Sequence, residues 1–215
     1  AWDDLAFIRD SSIVKRMANI PEIFTNSVRS GSTHRDVLPY YRPMPISSYA
    51  IDHFLWQGRP GGFHFTNILL HVAVSLLVYL TGCTVLRSDK AALAAGLLFA
   101  VHPVHAEAVA YVSARGDLLC AFFLLLSFFL YLRSPKGPTG PHVLAACLLF
   151  LCALLSKEVA VLFSAVIFLY EVIVRRTGFR KAVLHTIPFV ITTLLFLFLR
   201  TLVLSSGTWD GPGPA

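Results

Sequence analysis

From Phe65 onward the chain alternates apolar runs with short polar breaks. The runs are Phe65–Leu86, Ala91–Val101, Leu118–Leu132, Val143–Leu155, Val159–Val174 and Val183–Leu204, and they predict six hydrophobic helices. The first run is long enough to span a hydrocarbon core of about 30 Å. Upstream the pattern differs. Residues 1–63 mix polar and aromatic positions, with proline and glycine crowded between Pro39 and Gly62. They read as a folded extramembrane loop with short helices. The expected division is therefore a loop over 1–63, a helical membrane domain over 64–206, and a tail or the start of another loop over 207–215.

Composition supports a membrane assignment. The chain is 56% hydrophobic and 14% charged, with a mean hydropathy of +0.68, whereas soluble domains carry about 25% charged residues. The fold class expected is an all-α polytopic membrane protein. The net charge of +6 does not point to nucleic acid, because the basic residues sit at the ends of apolar runs and form no patch interleaved with aromatics. The four cysteines, Cys83, Cys120, Cys147 and Cys152, lie in apolar runs and read as buried free thiols. The chain starts at Ala1 and ends in Gly-Pro-rich sequence, and both ends read as cut from something larger.

Charge placement predicts an orientation. Arg87, Lys90, Arg133, Lys136, Arg175, Arg176, Arg180 and Lys181 flank or fill alternate connections, and the intervening connections hold only Arg115 and Lys157. By the positive-inside rule the first group faces the cytoplasm. Residues 1–63, the 102–117 loop, the Ser156–Glu158 turn and the C-terminal tail are then expected to face outward. Two runs are short: Ala91–Val101 reaches roughly 16 Å and Val143–Leu155 roughly 20 Å. Both end on the outward side, at His102 and Ser156. Either a water-filled recess opens there, or tilt and snorkelling take up the mismatch.

Candidate chemistry gathers on that side. The Asp3-Asp4 pair suits a general base that takes a proton from an attacking hydroxyl, or else forms a solvated turn or helix cap. Arg42, stiffened by Pro43, is a candidate ligand for phosphate oxygens. His102 and His105 stand three apart. They lack the HExxH pattern and have Pro103 between them, so interface anchoring or hydrogen bonding is favoured over a metal site. Glu107 is a candidate second carboxylate. Arg115 and Lys157 break the positive-inside pattern. They either pair with neighbouring Asp117 and Glu158 or face the recess and neutralise a lipid phosphate, since anionic leaving groups need fixed positive charge. His71, four residues after Asn67, is expected to form a helix–helix hydrogen bond. Arg200, near the outer end of the last helix, either snorkels or reaches the recess.

Taken in order, Asp3-Asp4, Phe24-Thr25-Asn26, Tyr41-Arg42-Pro43, Phe63-His64 through Asn67 and His71, Phe99 to Val109 with its histidines, Arg115-Gly116-Asp117-Leu118 and Lys157-Glu158 make a set. The set resembles the N-terminal membrane module of the transmembrane and tetratricopeptide-repeat O-mannosyltransferases and their bacterial relatives. The histidine-rich loop with the Arg-Gly-Asp after it is the most specific part. Ser27–Leu38 departs from the aromatic-rich sequence of the family.

The resemblance implies a GT-C fold and a lipid-linked sugar donor, dolichyl- or undecaprenyl-phosphate mannose. It implies a protein hydroxyl acceptor, and reaction on the extracytoplasmic face of a bacterial inner membrane or the endoplasmic reticulum. Asp3 or Asp4 takes the role of base, and Arg42, Arg115 and Lys157 hold the phosphate. No metal or other cofactor is implied. Family members carry a helix before the acidic pair and C-terminal tetratricopeptide repeats, which this sequence lacks, so the piece alone is expected to be inactive. A transporter or assembly scaffold is the alternative. A transporter should carry ionisable groups at mid-membrane, whereas these helices are nearly charge-free in their middles, with Glu171 near a cytoplasmic end.

Overall fold

A computed structural model describes residues 14–25, 27–28, 41–134, 140–205 and 208–209. Two short helices, α1 (Ile20–Thr25) and α2 (Pro43–Trp56), precede a helical bundle. Among the described residues the fold is all-α apart from a two-residue parallel pairing of Ser27–Val28 with Thr208–Trp209.

The bundle starts with α3 (Pro60–Leu86), whose first position is a proline that needs no N–H there. Arg87 closes it in the left-handed conformation, φ 54°, and Ser88 then caps α4 (Asp89–Val101) by accepting from the Ala91 amide at 3.4 Å. Small residues let the two helices approach closely. A Cβ on Gly96 would meet the Tyr79 Cβ at 3.1 Å, and one on Gly82 would meet the Ala92 Cβ at 3.1 Å. Lipid offers no hydrophobic drive for helix association, so such close packing and interhelical hydrogen bonds hold the pair.

At His102 the chain turns. Pro103 forces the residue before it into an extended conformation, φ −69° and ψ 128°. Asp89–Val101 and Pro103–Ala110 therefore meet at a 48° bend. The second limb contains α5 (Ala106–Ala110). After a 3₁₀ turn at Val112–Ala114 come α6 (Arg115–Leu132) and α7 (Pro141–Leu154). The next apolar run is composite: a 3₁₀ turn at Glu158–Leu162, then α8 (Phe163–Leu169), then a π-helical turn at Tyr170–Val174. The last helix is α9 (Phe179–Ser205).

All six predicted apolar runs are helical, but they differ in reach. Among the described residues, three helical stretches are long and apolar enough to cross a membrane: Pro60–Leu86, Val112–Leu132 and Phe179–Ser205. The bent pair makes a fourth if it is one span. The two runs read as short from the sequence are short: α4 has 13 residues and α7 has 14. The chain is an integral membrane protein.

The core lies between α6, α7, α8 and α9. Phe150, Phe163, Phe189 and Tyr131 pack with ring centroids 5.2 to 5.9 Å apart, several edge-on. Ala146 and Ala153 are buried, so α7 seats closely on α6, where the Ser127 hydroxyl donates to the Ala146 carbonyl at 2.7 Å. The first turn of α6 and the turn after α7 meet at one end of this core. The C-terminal end of α6 and the π-helical turn meet at the other.

Candidate functional site

The site begins with a turn that two prolines set. Pro43 and Pro45 open α2, and Arg42 just before them is non-helical, φ −135° and ψ 69°. The Met44 amide donates to the Leu155 carbonyl at 3.3 Å, which seats the start of α2 on the end of α7. That contact delivers Arg42 to Glu158. The guanidinium Nε and Nη2 stand 3.0 and 2.9 Å from the same carboxylate oxygen, Oε2. Burial by itself would push the Glu158 carboxyl up. The hydrogen bond from Arg42, a backbone hydrogen bond and the fields of Arg42 and Arg200 together outweigh it and hold the group below its usual range.

Next to this pair, the Lys157 ammonium bonds the Asp117 carboxylate in the first turn of α6. Cys120, one turn further along α6 and buried, lies in the field of Asp117, Lys157, Arg42 and Glu158 together. Four charged groups named from the sequence thus converge at one end of the bundle. All four remain partly open: the side chains of Arg42 and Glu158 are 37% and 24% exposed, those of Lys157 and Asp117 33% and 48%.

Arg115 is placed differently from its sequence expectation. Its side chain does not face a recess. It is wholly enclosed, with Nη2 2.6 Å from the buried Asp52 carboxylate of α2. Nε donates to Asn67 Oδ1 at 2.7 Å and Nη2 to the Phe63 carbonyl at 2.9 Å. Tyr49 and Phe63 present their rings to the guanidinium, with centroids 5.0 and 5.9 Å away. Thr66 donates to the other Asp52 oxygen at 2.9 Å. The Tyr49 hydroxyl and the Asn67 amide bond the carbonyls of Val112, Val109 and Tyr111. One arginine therefore locks α2, α3, α6 and the loop before α6 into a single body. It serves the site by fixing the helix that carries Arg42. The pairing of sequence neighbours is also replaced: Arg115 takes Asp52, Lys157 takes Asp117, and Glu158 takes Arg42.

His102, His105 and Glu107 make their contacts elsewhere. His102 Nδ1 accepts from the Val104 amide at 3.2 Å and caps the turn after the bend. His105 packs against Phe99 with the rings tilted and their centroids 4.0 Å apart, and stands 5.6 Å, ring to ring, from His71. The His71 Nε2 meets the Ala100 carbonyl at 3.0 Å, a bond between α3 and α4 of the expected kind, though without Asn67, which serves Arg115. Glu107 is exposed on α5. No group of three or more histidine, cysteine or acidic side chains able to hold a metal occurs among the described residues. Asp3 and Asp4 lie outside the described residues.

Sequence reasoning passed over Asp52. Its signal was present: an out-of-pattern arginine needs a buried acid, and Asp52 stands beside Ile51, Phe54 and Leu55 in an apolar helical stretch.

No family model matches the chain, and no solved structure matches it. Curated relatives do. It is 29% identical over 201 residues to the human protein O-mannosyl-transferase TMTC3, covering 89% of this chain and 20% of the relative. It is 37% identical over 159 residues to the mouse protein O-mannosyl-transferase TMTC4, covering 64% and 21%. It is 39% identical over 139 residues to the Drosophila melanogaster protein O-mannosyl-transferase Tmtc2, covering 61% and 15%. The chain thus spans about a fifth of the length of the curated relatives it matches. On this shared sequence, the chain is a relative of the TMTC protein O-mannosyl-transferases.

Proposed function

We propose that this chain forms part of the membrane module of a GT-C-type glycosyltransferase. It moves mannose from a polyprenyl-phosphate donor to a protein hydroxyl on the extracytoplasmic face, in a bacterial inner membrane or the endoplasmic reticulum membrane. The observation that carries this reading is the convergence of Arg42, Glu158, Lys157 and Asp117 at one end of an otherwise apolar bundle, with each side chain still partly open. The relatives' names as protein O-mannosyl-transferases support the chemistry. In a site walled by apolar helices, fixed cations stabilise the charge that develops on a departing phosphate. Arg42 and Lys157 supply those cations. Glu158 and Asp117 hold the cations in place until the anionic headgroup competes for them. Asp3 or Asp4 removes the acceptor's proton as its oxygen attacks the sugar, and Glu107, His102 and His105 line the approach of the acceptor. Membrane lipid and the acceptor protein are the partners, and tetratricopeptide repeats belong to the rest of the protein.

The test uses Asp3→Asn and Asp4→Asn, made singly in the full-length protein, with transfer measured from polyprenyl-phosphate mannose to an acceptor peptide. One of the two is expected to lose transfer by about 100-fold or more, the range of a general base. Unchanged turnover in both would end the base assignment.

A further inference from the structure

Arg200 lies near the Arg42–Glu158 pair, close enough for its field to reach Glu158. It sits on α9 five residues before the helix ends at Ser205, in the apolar sequence Leu197-Phe198-Leu199 to Leu202-Val203-Leu204. An arginine keeps its charge in any protein setting, and burying a donor without an acceptor is costly. Yet Arg200 Nε is enclosed and has no hydrogen-bond partner. Its field reaches Glu158, but the Oε2 of that carboxylate already takes both Arg42 nitrogens, at 3.0 and 2.9 Å. The neighbouring acid, Asp117, is bonded to Lys157. A cation on an apolar helix whose enclosed Nε has no partner is a seat for an anion that arrives from outside. A planar guanidinium is suited to phosphate oxygens.

We propose that Arg200 binds a phosphate oxygen of the substrate beside the Arg42–Glu158 pair. This rests on the reading of the substrate as a polyprenyl phosphate. The same chemistry would also receive inorganic phosphate or the headgroup of an ordinary anionic phospholipid, and the experiment separates these sources.

The full-length protein in detergent is titrated with polyprenyl phosphate, the uncharged polyprenol, inorganic phosphate and phosphatidylglycerol. Wild type, Arg200→Met and Arg200→Lys are compared, with thermal unfolding and gel filtration recorded for each. Arg200→Met is expected to weaken polyprenyl phosphate by about 10- to 100-fold, the scale of a charge-assisted hydrogen bond. Polyprenol binding stays unchanged, and Arg200→Lys recovers part of the loss. Wild-type binding of polyprenyl phosphate that Arg200→Met leaves unchanged overturns the role of Arg200 and spares the donor. Equal weakening of polyprenol and polyprenyl phosphate overturns it too, because the loss is then one of packing. Arg200-dependent binding of inorganic phosphate or phosphatidylglycerol, with none of polyprenyl phosphate, overturns the lipid-linked assignment. If wild type binds no polyprenyl phosphate at all, the donor reading itself fails.

Discussion

The two ends of the bundle hold charge in opposite ways. At the end described above, Arg42–Glu158 and Lys157–Asp117 are ion pairs with partly open side chains. At the other end Glu171 is fully buried in the π-helical turn, and both its oxygens are occupied. Tyr131 donates to Oε1 at 2.6 Å and Arg175 at 3.1 Å. Thr177 donates to Oε2 at 3.1 Å, and His185 Nδ1 lies 2.9 Å from it. Arg175 also stands over the rings of Tyr131 and Tyr170, 5.3 and 5.6 Å from their centroids. The Glu171 network ties α6, the π-helical turn and α9 together and leaves that carboxylate no bonding capacity for a ligand. The contrast shows what separates a structural ion cluster from a site. A buried carboxylate with every lone pair used is a fastener, whereas partly open pairs, with an unpartnered guanidinium nitrogen of Arg200 near them, can exchange partners.

The comparison is easiest to break where a charge is most deeply enclosed. Arg115→Ala leaves Asp52 buried without its partner and is expected to destabilise the protein by about 3–5 kcal/mol, read as a lowered Tm in detergent. A loss of activity without any loss of stability would instead return Arg115 to the substrate. Glu171→Gln keeps the shape and one acceptor oxygen but removes the charge. It is expected to cost about 1–3 kcal/mol, with transfer activity per folded molecule unchanged. A selective fall in activity would make the far end part of the site.

Arg42→Gln sharpens the contrast from the open side. Its pair is partly solvated, so the stability cost is at most about 1 kcal/mol. Glu158 is held below its usual value of 4.5, so its contribution is fully present above that value and is lost as pH falls through the depressed folded value. The stability gap between wild type and Arg42→Gln is therefore expected to close on acidification below the ordinary carboxylate range. Unfolding curves over a pH series check this, and a gap that stays constant would mean that Arg42 acts through packing alone.

Much of the fold was legible in the chain, and much less of the site. The six apolar runs are helices, and two of them were short by residue count alone. The bend at His102 was foreshadowed only by Pro103, and the composite character of Glu158–Val174 had no local signal, because π and 3₁₀ turns answer to contacts with neighbouring helices. In the site, Arg115 and Lys157 stood out in the sequence as cations that need a reason. The reason proved different for each: Arg115 is a buried strut on Asp52, and Lys157 is an open partner of Asp117.

The sequence by itself determined that this is an integral membrane protein made of helices. In lipid each helix must satisfy its own backbone hydrogen bonds, so apolar length and composition are read locally, run by run. Only the tertiary structure decided who pairs with whom. Arg115 meets Asp52, Glu158 meets Arg42 and Asp117 meets Lys157 across 63, 116 and 40 residues of chain. Such pairs are set by how rigid helices pack and how much water each packing leaves, and neither is written in the spacing of residues along one strand of sequence.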